Sequence, residues 1–198
     1  MTEADIKAAL CAPLVRGEAV VLRDLAVTTP LNLSGCEIGN VDFSGTVFHA
    51  PISFANAHFL GLCWFKNCVF AARADFRAAR FANDARFDVA RFDKDADFSD
   101  ICSDGVAAFD AAMFRGRAAF DHALVLGNFS LGATQFQANA SFRSVECLGG
   151  LWLENAAFGA AAQFQGLEVH GRTWLKQVHA PQDGEATRRI TSYGYQWR

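Results

Sequence analysis

The segment ADFRAARFANDARFDVARFDKDADF, residues 74–98, carries phenylalanines that are alternately five and six residues apart. These are Phe76, Phe81, Phe87, Phe92 and Phe98. An α-helix has 3.6 residues per turn, so it would place successive members of this series on different sides. A flat strand would instead alternate with a period of two. The spacing therefore predicts a backbone that changes direction at every step of the series.

The same spacing extends over most of the chain. Positions in phase with this segment run from Leu22 to Leu175, and all of the 19 phenylalanines except Phe129 occupy them. Phe129 lies two residues before the in-phase Leu131, in a slot that alanine or another small residue usually fills. Each unit thus reads small–polar–large, which is typical of a short extended segment with two inward side chains and one outward side chain.

Short extended segments separated by two or three turn residues predict the sides of a solenoid coil, which stack into parallel sheets. A column of Gly and Asn follows every fourth segment, at Gly61, Asn83, Gly105, Gly127, Gly149 and Gly171. We interpret this column as a corner that requires a positive φ angle, and one such corner in four favours four sides per coil. A right-handed coiled coil also has an 11-residue apolar period. It is disfavoured because each glycine would cost its helices about 1 kcal/mol.

Four segments show a small residue, a polar residue, a large apolar residue and two further residues. They are VDFSG at 41–45, ADFRA at 74–78, ARFDV at 85–89 and ADFSD at 96–100. With these motifs in phase, the chain resembles the pentapeptide-repeat family over residues 20–177, in particular its Phe-rich members with alternating five- and six-residue steps. The resemblance implies an all-β fold, a right-handed, four-sided parallel β-helix. About seven coils of roughly 22 residues would form a rod of about 34 Å.

Two segments flank the repeat. Residues 1–19 are predicted to form a cap with a short helix, because the open end of a solenoid has to be covered. Residues 20–177 are the predicted β-helix. Residues 178–198 leave the pattern, and we expect them either to cap the last coil or to form a homodimer contact. The apolar residues of this tail are Ile190, Tyr193, Tyr195 and Trp197.

Charge and hydropathy argue against direct binding to nucleic acid or membrane. The formal net charge is −3, whereas binding to nucleic acid usually needs a clustered basic face. No apolar run is long enough to span a bilayer, and the N-terminal residues do not show a signal-peptide pattern. We therefore expect a cytoplasmic protein.

Residues that commonly carry chemistry are scattered over the predicted coils. The histidines fall on different sides or coils without an evident Cys or carboxylate partner: His49, His58, His122, His170 and His179. Cysteines in inward slots are expected to be reduced core residues: Cys36, Cys63, Cys68 and Cys147. Cys102 is predicted to point outward, and Cys11 lies in the cap. The sequence has neither a phosphate-binding Gly-rich loop nor an HExxH motif, so we expect no enzyme, cofactor or metal site.

Exposed apolar residues are the more unusual surface feature. The predicted register gathers seven of them near one corner of the rod, in two groups: Leu60, Leu62 and Trp64, and further along Leu124, Leu126, Leu148 and Trp152. Leu126 and Leu148 are expected one coil apart in a single column. Such a group is explained either by a binding surface for a partner or by outward packing beneath a terminal segment.

Two functions are compatible with these features. The first is a non-enzymatic, rod-shaped protein-interaction module with an unidentified protein partner. The second comes from the resemblance: some pentapeptide-repeat proteins bind DNA gyrase or a related topoisomerase, as inhibitors or protectors, by imitating the shape and charge of duplex DNA. Acidic residues between positions 84 and 121 support this alternative, but they wind around the predicted rod. Arginines lie among them, at Arg86, Arg91, Arg115 and Arg117.

Overall fold

The computed structural model describes residues 3–13, 15, 17–181 and 186–197, and these residues wind through four parallel β-sheets. As far as the strand Thr173–Trp174, successive strands belong to sheets A, B, C and D in turn. One circuit carries the chain from Ala85 to Ala107, which pair with each other on sheet A. The predicted all-β, four-sided parallel solenoid is confirmed. Residues 1, 2, 14 and 16 of the predicted cap, and 182–185 and 198 of the predicted tail, lie outside the described residues.

Sheets A and B form two adjacent sides of the coil. Sheet A has nine strands in spatial order: Ala19–Val21, Asn40–Asp42, Cys63–Trp64, Ala85–Arg86, Ala107–Ala108, Phe129–Ser130, Leu151–Trp152, Thr173–Trp174 and Gln196–Trp197. Sheet B has seven: Ala26–Val27, Val47–Phe48, Val69–Phe70, Arg91–Phe92, Met113–Phe114, Gln135–Phe136 and Ala157–Phe158.

Sheets C and D form the other two sides. Sheet C has seven strands: Leu31–Asn32, Ile52–Ser53, Ala74–Asp75, Ala96–Asp97, Ala118–Ala119, Ala140–Ser141 and Ala162–Gln163. Sheet D has eight: Glu37–Ile38, His58–Phe59, Arg80–Phe81, Cys102–Ser103, Leu124–Val125, Glu146–Cys147, Glu168–Val169 and Thr191–Ser192.

The C-terminal tail lengthens the solenoid. After a short 3-10 helix, Ala186–Arg189, the strand Thr191–Ser192 joins sheet D and the strand Gln196–Trp197 joins sheet A. Within the described residues the solenoid therefore has about eight coils rather than the seven predicted. The nine strands of sheet A extend over about 38 Å at about 4.8 Å per strand. The tail adds coils because its strands find hydrogen-bonding partners on the preceding coil despite the break in spacing.

Inward phenylalanines stack along the rod axis. The Phe65 and Phe87 rings are parallel with centroids 4.8 Å apart, and those of Phe92 and Phe114 are 4.5 Å apart. These distances are close to the spacing of hydrogen-bonded strands, about 4.7–4.9 Å, so strand pairing and ring stacking support each other. Rings on opposite sides meet edge to face, a favourable geometry, as Phe76 meets Phe87 at 89°.

Phe129 lies outside the repeating phenylalanine positions, but its ring keeps the core of its coil filled. It occupies the slot that Ala107 fills in the preceding coil, and it is completely buried. Its ring centroid lies 5.5 Å from that of Phe120. In this coil the in-phase positions on sheets A and D carry Leu131 and Val125 instead of phenylalanine. The ring of Phe129 therefore fills volume that these smaller side chains leave empty.

The prediction that the Gly and Asn column has positive φ angles is wrong. Positive φ instead recurs at the five-residue corners, twice in each coil, and chiefly at residues other than glycine, such as Ala78 (54°) and Val89 (59°). The glycine column lies at the six-residue corners, where stacked backbones come very close. A Cβ on Gly149 would stand 2.2 Å from the carbonyl oxygen of Gly127. Glycine is therefore required because the backbones of neighbouring coils come so close at this corner. The glycine column still occurs at only one of the four corners of each coil.

A short helix covers the N-terminal end of the solenoid. The helix α1, Glu3–Leu10, buries Ile6 and Leu10 in the same core as the first coil. The carboxylate of Glu3 accepts a hydrogen bond of 3.3 Å from the backbone N–H of Asn32. The predicted N-terminal helical cap is therefore confirmed, and it shields apolar side chains that the first coil would otherwise expose.

Candidate interaction surface

The corner between sheets D and A carries a column of apolar and aromatic side chains near the C-terminal end. The column consists of Leu126, Leu148, His170 and Tyr193, which follow paired strands of sheet D. The backbone N–H of Leu148 donates to the carbonyl oxygen of Val125 at 2.9 Å, and the corners above it repeat this contact. The rings of His170 and Tyr193 stack with centroids 5.0 Å apart. Strand pairing thus holds these side chains in line.

A tryptophan ladder lies beside this column, on the outward face of sheet A. The rings of Trp152 and Trp174 are 5.6 Å apart and within 6° of parallel. The rings of Trp174 and Trp197 are also 5.6 Å apart, at 15°. Tyr195 contacts the edge of this ladder, with its ring centroid 5.4 Å from that of Trp197. We name the column and the ladder together the C-terminal apolar surface: Leu126, Leu148, Trp152, His170, Trp174, Tyr193, Tyr195 and Trp197.

Glycines form the floor between the column and the ladder. A Cβ on Gly150 would stand 2.2 Å from Cζ3 of Trp152, so the indole ring lies directly against this glycine. Gly171 and Gly194 continue the close stacking at the corner, each against the carbonyl oxygen of the glycine in the coil before. The floor therefore has few flexible side chains to order when a partner binds, which lowers the entropic cost of binding.

Charged side chains border the apolar surface. His170 Nε2 lies 3.2 Å from a carboxylate oxygen of Glu146, and Lys176 Nζ lies 4.0 Å from Glu154. Both pairs are substantially exposed. An aromatic centre with a polar rim is the usual composition of a protein-binding surface.

Residues 54–101 match the family model described as pentapeptide repeats (9 copies). The stacked strands continue in the same register before and after this segment. The matched segment and the phenylalanine ladder that continues beyond it are consistent with a pentapeptide-repeat protein. No individual curated protein matches the chain. The family match covers a segment that does not include the C-terminal apolar surface.

The seven apolar residues predicted from the sequence do not form one surface on the solenoid. Leu60, Leu62 and Trp64 line a separate groove of about 650 Å³ near the N-terminal end. Three coils, about 14 Å, separate Leu60 from Leu126 along the corner. The intervening coils place the charged Asp104 in this column. The predicted apolar residues therefore form two separate groups, one in the N-terminal groove and one near the C-terminal end of the solenoid.

The remaining members of the predicted group lie at or beside the C-terminal apolar surface. Leu126 and Leu148 are exposed, by 39% and 43%, and Trp152 begins the ladder. Leu124 is half-buried on the outer face of sheet D, between Cys102 and Glu146. Leu124 is therefore a neighbour of the corner column and does not belong to it.

The tail residues divide between the core and the surface. Ile190 is buried and packs in the core, whereas Tyr193, Tyr195 and Trp197 are exposed by 63%, 63% and 49%. Sequence reasoning missed Trp174, which joins Trp152 to Trp197. The signal was present, because Trp152 and Trp174 are separated by one full circuit of the repeat and therefore had to lie in one column.

Most of the acidic residues in the middle of the rod have arginine partners. The closest pairs include Arg77–Asp75 at 2.8 Å, Arg86–Asp88 at 2.9 Å, Arg91–Asp93 at 3.1 Å, Arg115–Asp93 at 2.9 Å and Arg117–Asp95 at 3.4 Å. Such exposed pairs each contribute about 0–1 kcal/mol to stability. Their main effect on the surface is to reduce the free negative charge that a partner would meet.

Asp121 is the most enclosed acid of this part of the rod. Its side chain is largely buried, and it accepts hydrogen bonds from the Arg143 guanidinium at 2.5 Å and from the Ser141 hydroxyl. Burial raises the pKa of Asp121, but the hydrogen bonds from Arg143 and Ser141 outweigh burial and hold this pKa below its ordinary value. Asp121 is therefore part of a local structural network.

The described residues contain no group of three or more His, Cys, Asp or Glu side chains that could hold a metal ion. Burial raises the pKa of the Cys68 and Cys147 thiols to about 12, so these cysteines are protonated at neutral pH.

Among the described residues, no helix is long and apolar enough to cross a membrane.

Proposed function

We propose that the chain is a non-enzymatic protein-interaction module and that the C-terminal apolar surface is its binding surface. The observation that carries the proposal is the stacked ladder of Trp152, Trp174 and Trp197 beside an exposed apolar column. Pentapeptide-repeat solenoids are a fold suited to presenting such surfaces, because every side chain is fixed by its place in the coil.

The energetics of the surface support binding. Tryptophan and tyrosine supply large contact areas and are enriched among the residues that dominate binding free energy. Here they are already aligned by backbone pairing and by stacking on each other, so little rotamer freedom remains to be lost. A purely structural ladder would need no exposed column beside it, yet Leu126, Leu148 and Tyr193 all remain substantially exposed.

Affinity capture with matched variants tests the proposal. The double variant Leu126→Asp/Leu148→Asp places two charges at the centre of the surface. Leu62→Asp is the control, because Leu62 is similarly exposed, at 40%, near the same corner in a different coil. Each protein is immobilised after its β structure is checked by circular dichroism, and captured proteins from the native cell are quantified by mass spectrometry.

We expect at least one protein to be captured by the wild type and by Leu62→Asp but not by the double variant. Identical capture by all three proteins would contradict the proposed surface. A homodimer is one form that the partner can take, because Tyr195 and Trp197 are exposed beside the last coil. Analytical ultracentrifugation of the same three proteins detects this case as self-association that only the double variant loses.

The topoisomerase alternative rests on the family resemblance and on the acidic residues of the middle coils. The arginine partners of those acids lower the local negative charge, so this alternative has less support than the apolar surface. A gyrase supercoiling assay tests it directly. Inhibition or protection at micromolar protein would favour the alternative, and no effect would remove it.

A further inference from the structure

One corner near the N-terminal end of the solenoid is a residue shorter than the corner that stacks on it. Ile38 pairs with Phe59 on sheet D, and Val41 pairs with Cys63 on sheet A. Between these paired positions the shorter corner has two residues, 39 and 40, and the corner stacked on it has three, 60–62. The groove of about 650 Å³, which we call the N-terminal groove, lies at this place. The missing residue therefore accounts for its position.

The side chain of Asn40 spans the shortened corner. Its Nδ2 donates to the carbonyl oxygen of Glu18 at 2.8 Å, and its Oδ1 accepts from the backbone N–H of Leu62 at 3.0 Å. A Cβ on Gly61 would lie 2.2 Å from Asn40 Oδ1, so the amide lies directly against the backbone of the next coil. Asn40 thus links the coils on both sides of it, and contacts within the protein hold the walls of the groove in place.

The lining of the groove combines large apolar side chains with acidic ones. Leu60, Leu62 and Trp64 supply the apolar part. The charged side chains of the lining are both acids, Glu18 and Asp42. Small-molecule sites usually have volumes of about 300–1,000 Å³ and a mainly apolar lining with a few polar groups. The N-terminal groove has this size and composition, and its carboxylates favour a ligand of positive charge.

The two acids are not equally available to a ligand. The Asp42 side chain is only 2% exposed and accepts a hydrogen bond from Arg23 Nε at 2.6 Å, so a cation of the protein already balances its charge. Glu18 is exposed, and its carboxylate forms no hydrogen bond or ion pair with another described residue. Glu18 is therefore the carboxylate that can bind an ammonium group.

Trp64 fixes where the apolar part of a ligand would lie. Its indole ring is half-buried on the outward face of sheet A, and Lys66 Nζ lies 6.0 Å from the ring centroid. Because Lys66 already supplies a cation beside this ring, a second cation there would be repelled. The ring is therefore expected to contact the apolar body of the ligand, while the ammonium group lies at Glu18.

We propose that the N-terminal groove is a binding site for a small organic amine with an apolar body. The body packs against Trp64, Leu60 and Leu62, and the protonated amine pairs with the Glu18 carboxylate. Asn40 holds the groove open before the ligand arrives, which lowers the cost of binding. This site is separate from the C-terminal apolar surface, so the proposal stands independently of the function proposed for that surface.

Three probes with the same indole body and different charges test the proposal. They are tryptamine, which is a cation at pH 7, tryptophol, which is neutral, and indole-3-acetate, which is an anion. Isothermal titration calorimetry at low salt measures the binding of each probe to the full chain. We expect the dissociation constant to be lowest for tryptamine, higher for tryptophol and highest for indole-3-acetate.

Variants assign the binding to the groove. Glu18→Gln should raise the dissociation constant of tryptamine about two- to fivefold, as expected for the loss of an exposed ion pair, and should leave that of tryptophol unchanged. Trp64→Ala should weaken the binding of tryptamine and tryptophol alike. Trp152→Ala, at the C-terminal apolar surface, is the matched control and should change neither. Circular dichroism checks that each variant keeps its β structure.

Several outcomes overturn the proposal. Two are read from the wild-type protein, so they do not depend on a variant that fails to fold: no binding of any probe at millimolar concentration, and binding of indole-3-acetate as tight as that of tryptamine. A third is unchanged tryptamine binding by Glu18→Gln. A fourth is weaker binding by Trp152→Ala but not by Trp64→Ala, which would place the probes on the C-terminal apolar surface. Absence of probe binding together with a captured protein that Leu62→Asp loses would assign the groove to a protein partner instead.

Discussion

A Cβ on Gly149 would lie 2.2 Å from the carbonyl oxygen of Gly127 in the coil before it, which is closer than any side chain can approach. We therefore expect Gly149→Ala to push the coils apart and to lower the free energy of unfolding by about 1–3 kcal/mol, the usual cost of overpacking. Gly159→Ala is the matched control, because a Cβ on Gly159 would lie 3.3 Å from the nearest atom, the carbonyl oxygen of Phe136. Urea unfolding of both variants measures the difference, and equal stability would refute the steric role of the Gly149 corner.

Val89 occupies a left-handed corner, with φ of 59°, that suits a β-branched residue poorly. Asn56, Asn67 and Asn155 occupy equivalent corners with nearly the same φ. We expect Val89→Asn to raise the free energy of unfolding by about 1 kcal/mol, since left-handed geometry costs most L-residues about 1–2 kcal/mol and asparagine adopts it more readily. Val21→Asn, at an exposed strand position, should give no such gain. Thermal melting compares the two variants, and a loss of stability in Val89→Asn would contradict the strain argument.

Phe129 fills core volume that the smaller Leu131 leaves in the same coil. Phe129→Ala should therefore lower the free energy of unfolding by about 3–5 kcal/mol, as for other buried phenylalanines. The double variant Phe129→Ala/Leu131→Phe restores the alanine and phenylalanine order of the preceding coils, so we expect it to recover part of the loss. Chemical unfolding of the two variants would show this, and a double variant no more stable than Phe129→Ala would argue against compensation between the two positions.

Asp121 should make stability depend on pH. Because its hydrogen bonds hold its pKa below the ordinary value, its carboxylate stabilises the fold above the unfolded-state pKa of about 3.9. This contribution is lost as pH falls through the folded-state pKa. Asp121→Asn should thus be less stable than the wild type at pH 7, and the difference should shrink below about pH 4. Asp100→Asn, at an exposed corner, is the control. A difference in Tm that stays constant from neutral to acidic pH would count against the ion pair with Arg143.

The phenylalanine spacing, together with the column of glycine and asparagine, was sufficient to predict the four-sided parallel solenoid. A repeat of alternating five- and six-residue steps, with one large and one small inward side chain in each step, can bury its apolar residues only if the chain turns regularly. The same register placed Leu126 and Leu148 in neighbouring coils, as the structure confirms. It failed where the spacing ends, because the strands Thr191–Ser192 and Gln196–Trp197 are recruited by open sheet edges rather than by their own pattern.

The backbone geometry of the corners could not be predicted from the sequence pattern either. A recurring glycine is compatible with a positive φ angle and with a close approach of two backbones, and the φ angles and the short distance between Gly127 and Gly149 in the structure distinguish the two explanations.

The sequence by itself determined the inward and outward faces and the column to which each residue of the repeat belongs, since these depend on local periodicity, and its glycine and asparagine column favoured four sides per coil. Only the tertiary structure decided which outward residues form a surface. It divided the predicted apolar group into an N-terminal groove and a C-terminal surface, and it added Trp174, which stacks on Trp197 of the tail. These contacts join segments that lie outside the repeat to coils within it, so their positions depend on packing between segments rather than on spacing along the chain.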